Sequence, residues 1–426
     1  MLLRDVEVEG DRLDLRFDTR VRDLGRCLAP LTDEEVVDGN GGAVIPGLHD
    51  HHLHLLALAA TSHSITARTL DELGAALAAS LRSGWVRVVG FVEEVDRFAL
   101  DRISFGHPLR VQHRSGALWV LNSTALDAIG LAGHPDGKFW RQDVELGERL
   151  RAADATSPPD LAWVGRELGR LGITGVTDAT PELDESARRL LALAGESGAL
   201  PQEIHFLSPG KLVVGDHTLP ALDELIASIG EIHGSNRAAA LHCVTRESLA
   251  LSIAALREAG VRNGDRIEHG SVMDETTCGV LAELRVAVVT QPGFIADRGD
   301  DYLRDVAPED HPDLYRYASL LASGATVVPS SDAPFGPLDP WEVINAANRR
   351  RTPSGKTVGA VEQVSPRVAL DGYLRAPTDL HGSPRRVSIG APADLVVLDQ
   401  GLEGVLSSPS ADHVRATWRA GVRISP

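Results

Sequence analysis

Lysine is nearly missing from this chain. Only Lys138, Lys211 and Lys356 occur, and arginine supplies the rest of the 42 basic residues. Each lysine therefore invites a question about what arginine could not do in its place. Cysteine is also scarce: Cys27, Cys243 and Cys278 are an odd number spread far apart, which excludes a disulfide framework. No apolar run approaches the ~20 residues of a membrane-spanning helix. The opening stretch MLLRDVEVEGDRLDLRF alternates charged and apolar residues and has no signal-peptide core, so the cytoplasm is the expected location. Positive charge is outnumbered, 42 basic against 60 acidic residues, for a formal net charge of −18. That balance argues against nucleic acid or an anionic membrane as partner and leaves a small-molecule substrate.

What is present suits a large buried core: 426 residues, 43% hydrophobic. Both ends read as short strands. Val6-Glu7-Val8 and Leu13-Asp14-Leu15 alternate near the start, and Asp394-Leu395-Val396-Val397-Leu398 and 413–424 do the same near the finish. These ends, 1–43 and 386–426, predict one small β-sandwich domain. Between them, 44–385 alternates strand-like and helical runs. Strands are expected at 43–45, 86–91, 109–113, 173–177, 203–207, 211–214, 238–243, 266–268, 286–290 and 325–328. Helices are expected at 70–82, 160–171, 184–195, 221–232, 246–259, 274–284 and 315–323. Such alternation marks a parallel sheet, and over this length an α/β fold closed as a (β/α)8 TIM-like barrel. Ten strands exceed eight, so 86–91 and 109–113 are assigned to an insertion near 85–150. Runs 203–207 and 211–214 are too close for parallel neighbours, which need a crossover of about a dozen residues.

The chemistry concentrates at strand ends. In Pro46-Gly47-Leu48-His49-Asp50-His51-His52-Leu53-His54, strand alternation puts His52 and His54 on one face and His49 and His51 on the other. Two neutral imidazoles on one face can share a metal ion, at the end of a barrel strand where catalytic groups gather. A His-rich surface turn satisfies the same letters. Three more apolar strands each end in a possible ligand: Ala238–His242, Arg266–His269 and Ala325–Asp332. Singly, a His or Asp at a strand end more often only caps the next helix. Together, in one alternating chain, they describe a site.

Lys211, in Pro209-Gly210-Lys211-Leu212-Val213-Val214-Gly215-Asp216-His217, is the lysine that stands in a strand. A buried lysine is readily neutralised, and the neutral amine can take up carbon dioxide as a carbamate able to bridge two metal ions; arginine stays protonated. An exposed loop lysine is the plain alternative.

This order of motifs resembles the metal-dependent amidohydrolase superfamily, and within it amidohydrolase family 3, which includes N-substituted formamide deformylase-like proteins. Supporting stretches are Ser115–Ser123, Leu171–Asp178, Ser330–Pro334 and Ala393–Leu398. Where the family often has a histidine after its Ser-Gly pair, this chain has Ala117, and its 208–210 connection is unusually short. The resemblance implies that His52 and His54 hold the more buried metal with Asp332. It also implies that an N-carboxylated Lys211 bridges to a second ion on His242 and His269. Zinc suits such mixed ligands, although manganese, iron and cobalt fit them too. Asp332 is then the catalytic proton carrier in hydrolysis of an amide-type C–N bond. His63, His113, Arg114, Trp119, Gln291 and Pro292 fall near strand ends as pocket candidates. A deaminase, an esterase or lactonase, and a non-catalytic scaffold are the rival readings. A homodimer is the base-rate expectation for assembly.

Overall fold

The computed structural model describes residues 1–79, 84–153, 158–215 and 218–425. Residues 80–82 of the expected helix 70–82, and Asp216 and His217 beyond the lysine strand, lie outside the described residues. The backbone divides into two compact units, Met1–His54 with Val164–Pro426, and Leu55–Trp163.

Eight parallel strands organise the first unit: β1 (Leu48–Leu53), β2 (Ile173–Asp178), β3 (Glu203–Phe206), β4 (Lys211–Val213), β5 (Ala240–Cys243), β6 (Arg266–His269), β7 (Ala287–Thr290) and β8 (Val327–Pro329). They pair in two ladders, β3-β2-β1 and β4-β5-β6-β7-β8. Every residue of β1, β2, β6, β7 and β8 is buried, as parallel strands covered on both faces require. Helices Glu185–Glu196, Leu222–Gly234, Arg246–Ala259 and Glu275–Leu284 fill the connections after β2, β4, β5 and β6. β3 and β4, close in sequence and without a helix between them, belong to different ladders. The short connection is consistent because the two strands do not pair. At the other junction Asp332 N donates to His52 O and His54 N to Ala333 O, both at 2.8 Å, tying the end of β1 to the end of β8.

Expected strand 43–45 leaves this set. Val44–Pro46 pairs antiparallel with Leu395–Leu398 in a four-stranded sheet that also contains Val414–Arg419 and Val422–Arg423. The chain then enters β1 through Gly47, where a Cβ would come within 2.2 Å of the Thr174 side chain, so only glycine permits that approach. A second sheet, ordered Val21–Gly25, Asp11–Phe17, Leu2–Val8, Val36–Asp38, shares one hydrophobic cluster with the first through Leu3, Leu15, Phe17, Val44, Leu395 and Trp418. Expected helix 315–323 shortens to Ala318–Ala322, because Tyr315 takes a left-handed φ of 47° that ends helical winding ahead of it.

The second unit is built on a five-stranded sheet ordered Lys138–Trp140, Leu118–Leu121, Leu109–His113, Val86–Phe91, Ile65–Thr66. Val86, Val88, Phe91, Leu109 and Val111 bury one core of its own, against Leu73 and Leu77 of helix Leu70–Ala78. No described helix is long and apolar enough to cross a membrane, and all three cysteines are free.

Candidate metal centre

Alternation along β1 sorts its histidines. His49 turns to Thr177 Oγ1 at 2.9 Å, and His51 Nε2 meets Gly372 O at 3.1 Å. His52 and His54 face the other way, their rings 5.6 Å apart. Asp332, two residues beyond the Ser330 that follows β8, places Oδ1 3.5 Å from His52 Nε2 and 3.4 Å from His54 Nε2.

Each ring is held at its other nitrogen. His52 Nδ1 contacts Glu268 Oε2; a carboxylate only accepts, so Nδ1 carries the proton and Nε2 presents a lone pair to the centre. Gln291 spends its amide nitrogen on Val289 O and Ser330 Oγ, leaving Oε1 to accept from His269 Nδ1 at 2.7 Å. His54 Nδ1 lies 3.3 Å from Thr180 Oγ1. Outer partners of this kind orient metal-binding imidazoles and fix their tautomer.

Strict alternation on β6, where Glu268 shares the face of His52, would send His269 outward. Instead His269 has a φ of 71° and Asp332 a φ of 53°, left-handed positions that cost non-glycine residues about 1–3 kcal/mol. The turn brings the His269 ring within 4.9 Å of His52 and 4.5 Å of His242. Lys211 completes the group, buried on β4 with Nζ 3.2 Å from His52 Nε2. The six expected residues are thus neighbours. Of the pocket candidates, Gln291 joins them through His269 and Pro292 precedes helix Gly293–Asp305. His63, His113, Arg114 and Trp119 belong to the second unit.

Electrostatics favour cation binding. Burial, reinforced by Lys211, drives His52 well below its usual value, and burial with His269 does the same for His242, so both offer neutral nitrogens. Burial also lowers the Lys211 ammonium, against the pull of Glu268 and Asp332. Asp332 Oδ1 is fully buried and has no hydrogen-bond partner among the described residues. Two ligands of a tetrahedral ion with ~2.1 Å bonds stand about 3.4 Å apart, close to the Asp332–His52 and Asp332–His54 separations. His52, His54 and Asp332 therefore fit a metal.

Sequence reasoning passed over two carboxylates. Glu268 also receives Arg266 Nε and Nη2, and Arg266 Nη2 reaches His51 O at 2.7 Å. Asp50 Oδ1 accepts from His52 N at 3.1 Å and Ser331 N at 3.2 Å, joining β1 to the segment after β8; burial lifts its carboxyl to about 6. The visible signal for Glu268 was its position two residues after Arg266, on one strand face.

A buried imidazole–carboxylate cluster at the C-terminal ends of parallel strands defines a metal-dependent hydrolase of the α/β, TIM-barrel-like class. Residues 35–424 match the amidohydrolase family, and the chain belongs to it. It is similar to N-substituted formamide deformylase of Arthrobacter pascens, 24% identical, the match covering 87% of this chain and 86% of the relative. Its fold is similar to that of an uncharacterised metal-dependent hydrolase of Pyrococcus horikoshii, with a TM-score of 0.73, 20% identity, and 94% and 97% of the two chains covered. N-isopropylammelide isopropylaminohydrolase of Burkholderia multivorans superposes with a TM-score of 0.56 at 16% identity, over 100% of this chain and 97% of that one. The protein is a hydrolase acting on a C–N bond other than a peptide bond.

Proposed function

We propose that the protein hydrolyses a small N-acyl or N-formyl amide, giving a carboxylic acid and an amine. His52, His54 and Asp332 would hold a zinc ion, and Lys211, N-carboxylated, would share it with a second ion on His242 and His269. The observation that carries this reading is Asp332 Oδ1, buried, without a hydrogen-bond partner among the described residues, and 3.5 and 3.4 Å from His52 Nε2 and His54 Nε2.

A bound ion supplies carbonyl polarisation and a water whose pKa falls to about 7. The residues do the rest. Glu268 and Gln291 hold His52 and His269 in one tautomer. Asp332 accepts a proton from the attacking water and returns it to the departing nitrogen. Burial of Lys211 favours the neutral amine that carbamate formation needs.

The tie between β1 and β8, which joins the two ladders at one junction, supports closure of the eight strands into one barrel. The hydrophobic cluster shared by the two terminal sheets supports a sandwich domain of residues 1–43 and 386–426 with Val44–Pro46 added. Metal analysis of protein purified with zinc, followed by a screen of N-formyl, N-acyl, cyclic amide and ester substrates, tests the function. Bound zinc with amide turnover is expected; absence of bound metal would sink it. Ammonia release from an aminated heterocycle, without amide turnover, would assign a deaminase instead.

A further inference from the structure

The parallel strands are hollow at the end opposite the metal centre. Barrel strands usually fill such a layer with bulky branched side chains. Here β5 and β7 open with Ala240 and Ala287, and Ala238, Ala239 and Gly264 stand just ahead of β5 and β6. These small residues, with Phe206, Leu207 and Leu380, line an inner cavity of about 290 Å³. An outer cavity of about 500 Å³ shares Asn263, Asp379 and His381 with it and is bordered by Arg262 and Arg285.

Charge around the two cavities is one-sided, in a chain whose net charge is −18. Arg237 and Arg266 line the inner one and Arg262 and Arg285 the outer, against the single lining carboxylate of Asp379. Glu268 answers Arg266. Arg237 Nη2 donates to Phe206 O at 3.2 Å and Ser208 O at 2.9 Å, and Arg262 Nη1 donates to His233 O. Carbonyls satisfy those donors without cancelling the positive charge. Two imidazoles register the field. Burial, then Arg266 and Arg237, lower His205; burial, then Arg285 and Arg375, lower His381 against Asp379 and the Arg285 backbone.

His381 stands where the cavities meet. Its Nδ1 lies 2.7 Å from Thr326 Oγ1, while Nε2 is enclosed and has no hydrogen-bond partner among the described residues. With the Thr326 hydroxyl donating to Nδ1, Nε2 carries the proton and can give it to a ligand oxygen. An enclosed donor without an acceptor is costly, and a bound anion removes that cost.

We propose that these cavities form a second small-molecule site, which takes an organic anion. Its apolar body, an aromatic ring, fills the inner cavity, and its carboxylate or phosphate lies between His381 and Arg285. The inner cavity exceeds the ~150 Å³ that admits a benzene ring. None of the six proposed metal ligands borders either cavity, so the site does not rest on the amide-hydrolase reading.

Calorimetric titration of the full chain with benzoate and with phenyl phosphate, each against neutral benzamide, tests the site. At least one anion should bind about 10- to 100-fold more tightly than benzamide, the worth of one or two charge-assisted hydrogen bonds. Which of them does so identifies the charged group. Arg285 is exposed, and Arg285→Met should weaken the anion about 10-fold while leaving the fold and benzamide binding unchanged. His381→Phe should weaken the anion as well. A carboxylate can also bind zinc, so the titration is repeated on His52→Ala, His54→Ala, where anion affinity should persist. Loss of binding in that double variant overturns the site, since the anion then sits on the metal. No preference for either anion over benzamide, or an anion affinity that either Arg285→Met or His381→Phe leaves unchanged, overturns it too.

Discussion

His52 Nδ1 and Glu268 Oε2 are hydrogen-bonded with both side chains wholly excluded from solvent. Since Arg266 occupies both oxygens of the same carboxylate, Glu268 is fixed before it fixes the imidazole. The pair therefore sets which nitrogen of His52 faces the proposed metal site. Glu268→Gln keeps the shape but can present an N–H instead of an acceptor, so the tautomer is no longer imposed. Zinc affinity should fall about 10- to 100-fold. A competition titration against a chelator reads this directly, and an unaltered affinity would show that the contact does not position the ligand.

Lys211 separates a one-ion from a two-ion centre. Its replacement by alanine leaves His52, His54 and Asp332 in place and removes the proposed bridge. Zinc per chain, measured by elemental analysis, should fall by half in Lys211→Ala, with hydrolysis lost or strongly reduced. Full metal content in that variant would refute the bridge.

How much of this was readable beforehand follows from the local physics. The positions of β2 to β8 were legible because buried parallel strands are short apolar runs, and His242 and Asp332 stand at or just beyond the ends of theirs; β1, mostly histidine and aspartate, showed only through the spacing of His52 and His54. The assignment of Val44–Pro46 was not, since three apolar residues before Gly47 look the same in either sheet. Nor was the inward turn of His269, which depends on a left-handed φ at one residue rather than on strand period. Helices Pro340–Arg349 and Pro366–Tyr373 were missed, although Asp339-Pro340 and Ser365-Pro366 are an N-cap followed by proline at the first helical position. Glu268 and Asp50 were hidden by distance: their partners lie 216 and 281 residues away.

Metal and fold should be separable at β1. The double variant His52→Ala, His54→Ala removes two imidazoles from a site otherwise held by Glu268, Gln291 and the β1–β8 backbone tie. It should lose zinc and activity while keeping its far-ultraviolet circular dichroism. In the wild type, zinc at a hundredfold excess over its Kd should add about 2.7 kcal/mol of stability, seen as a higher Tm. The double variant should show no zinc-dependent rise; a rise equal to the wild type's would place the ion elsewhere.

Asp339 gives a stability change whose sign depends on pH. It caps helix Pro340–Arg349 by accepting from Trp341 N at 2.8 Å, and burial, aided by Glu342, still lifts its carboxyl to about 6. Unfolded, the group titrates near 3.9. Between these values the native state holds the extra proton, so stability falls as pH rises from about 4 to about 6, and the loss persists above 6. Asparagine caps as well as aspartate and carries no charge to desolvate. Asp339→Asn should therefore be more stable than the wild type at pH 7.5, by about 1–3 kcal/mol, a range set by a shift of about two pH units in a partly exposed group. The advantage should shrink towards zero by about pH 4. Urea midpoints at the two pH values measure it. A gain of equal size at both would mean that the substitution acts through packing rather than through the buried charge.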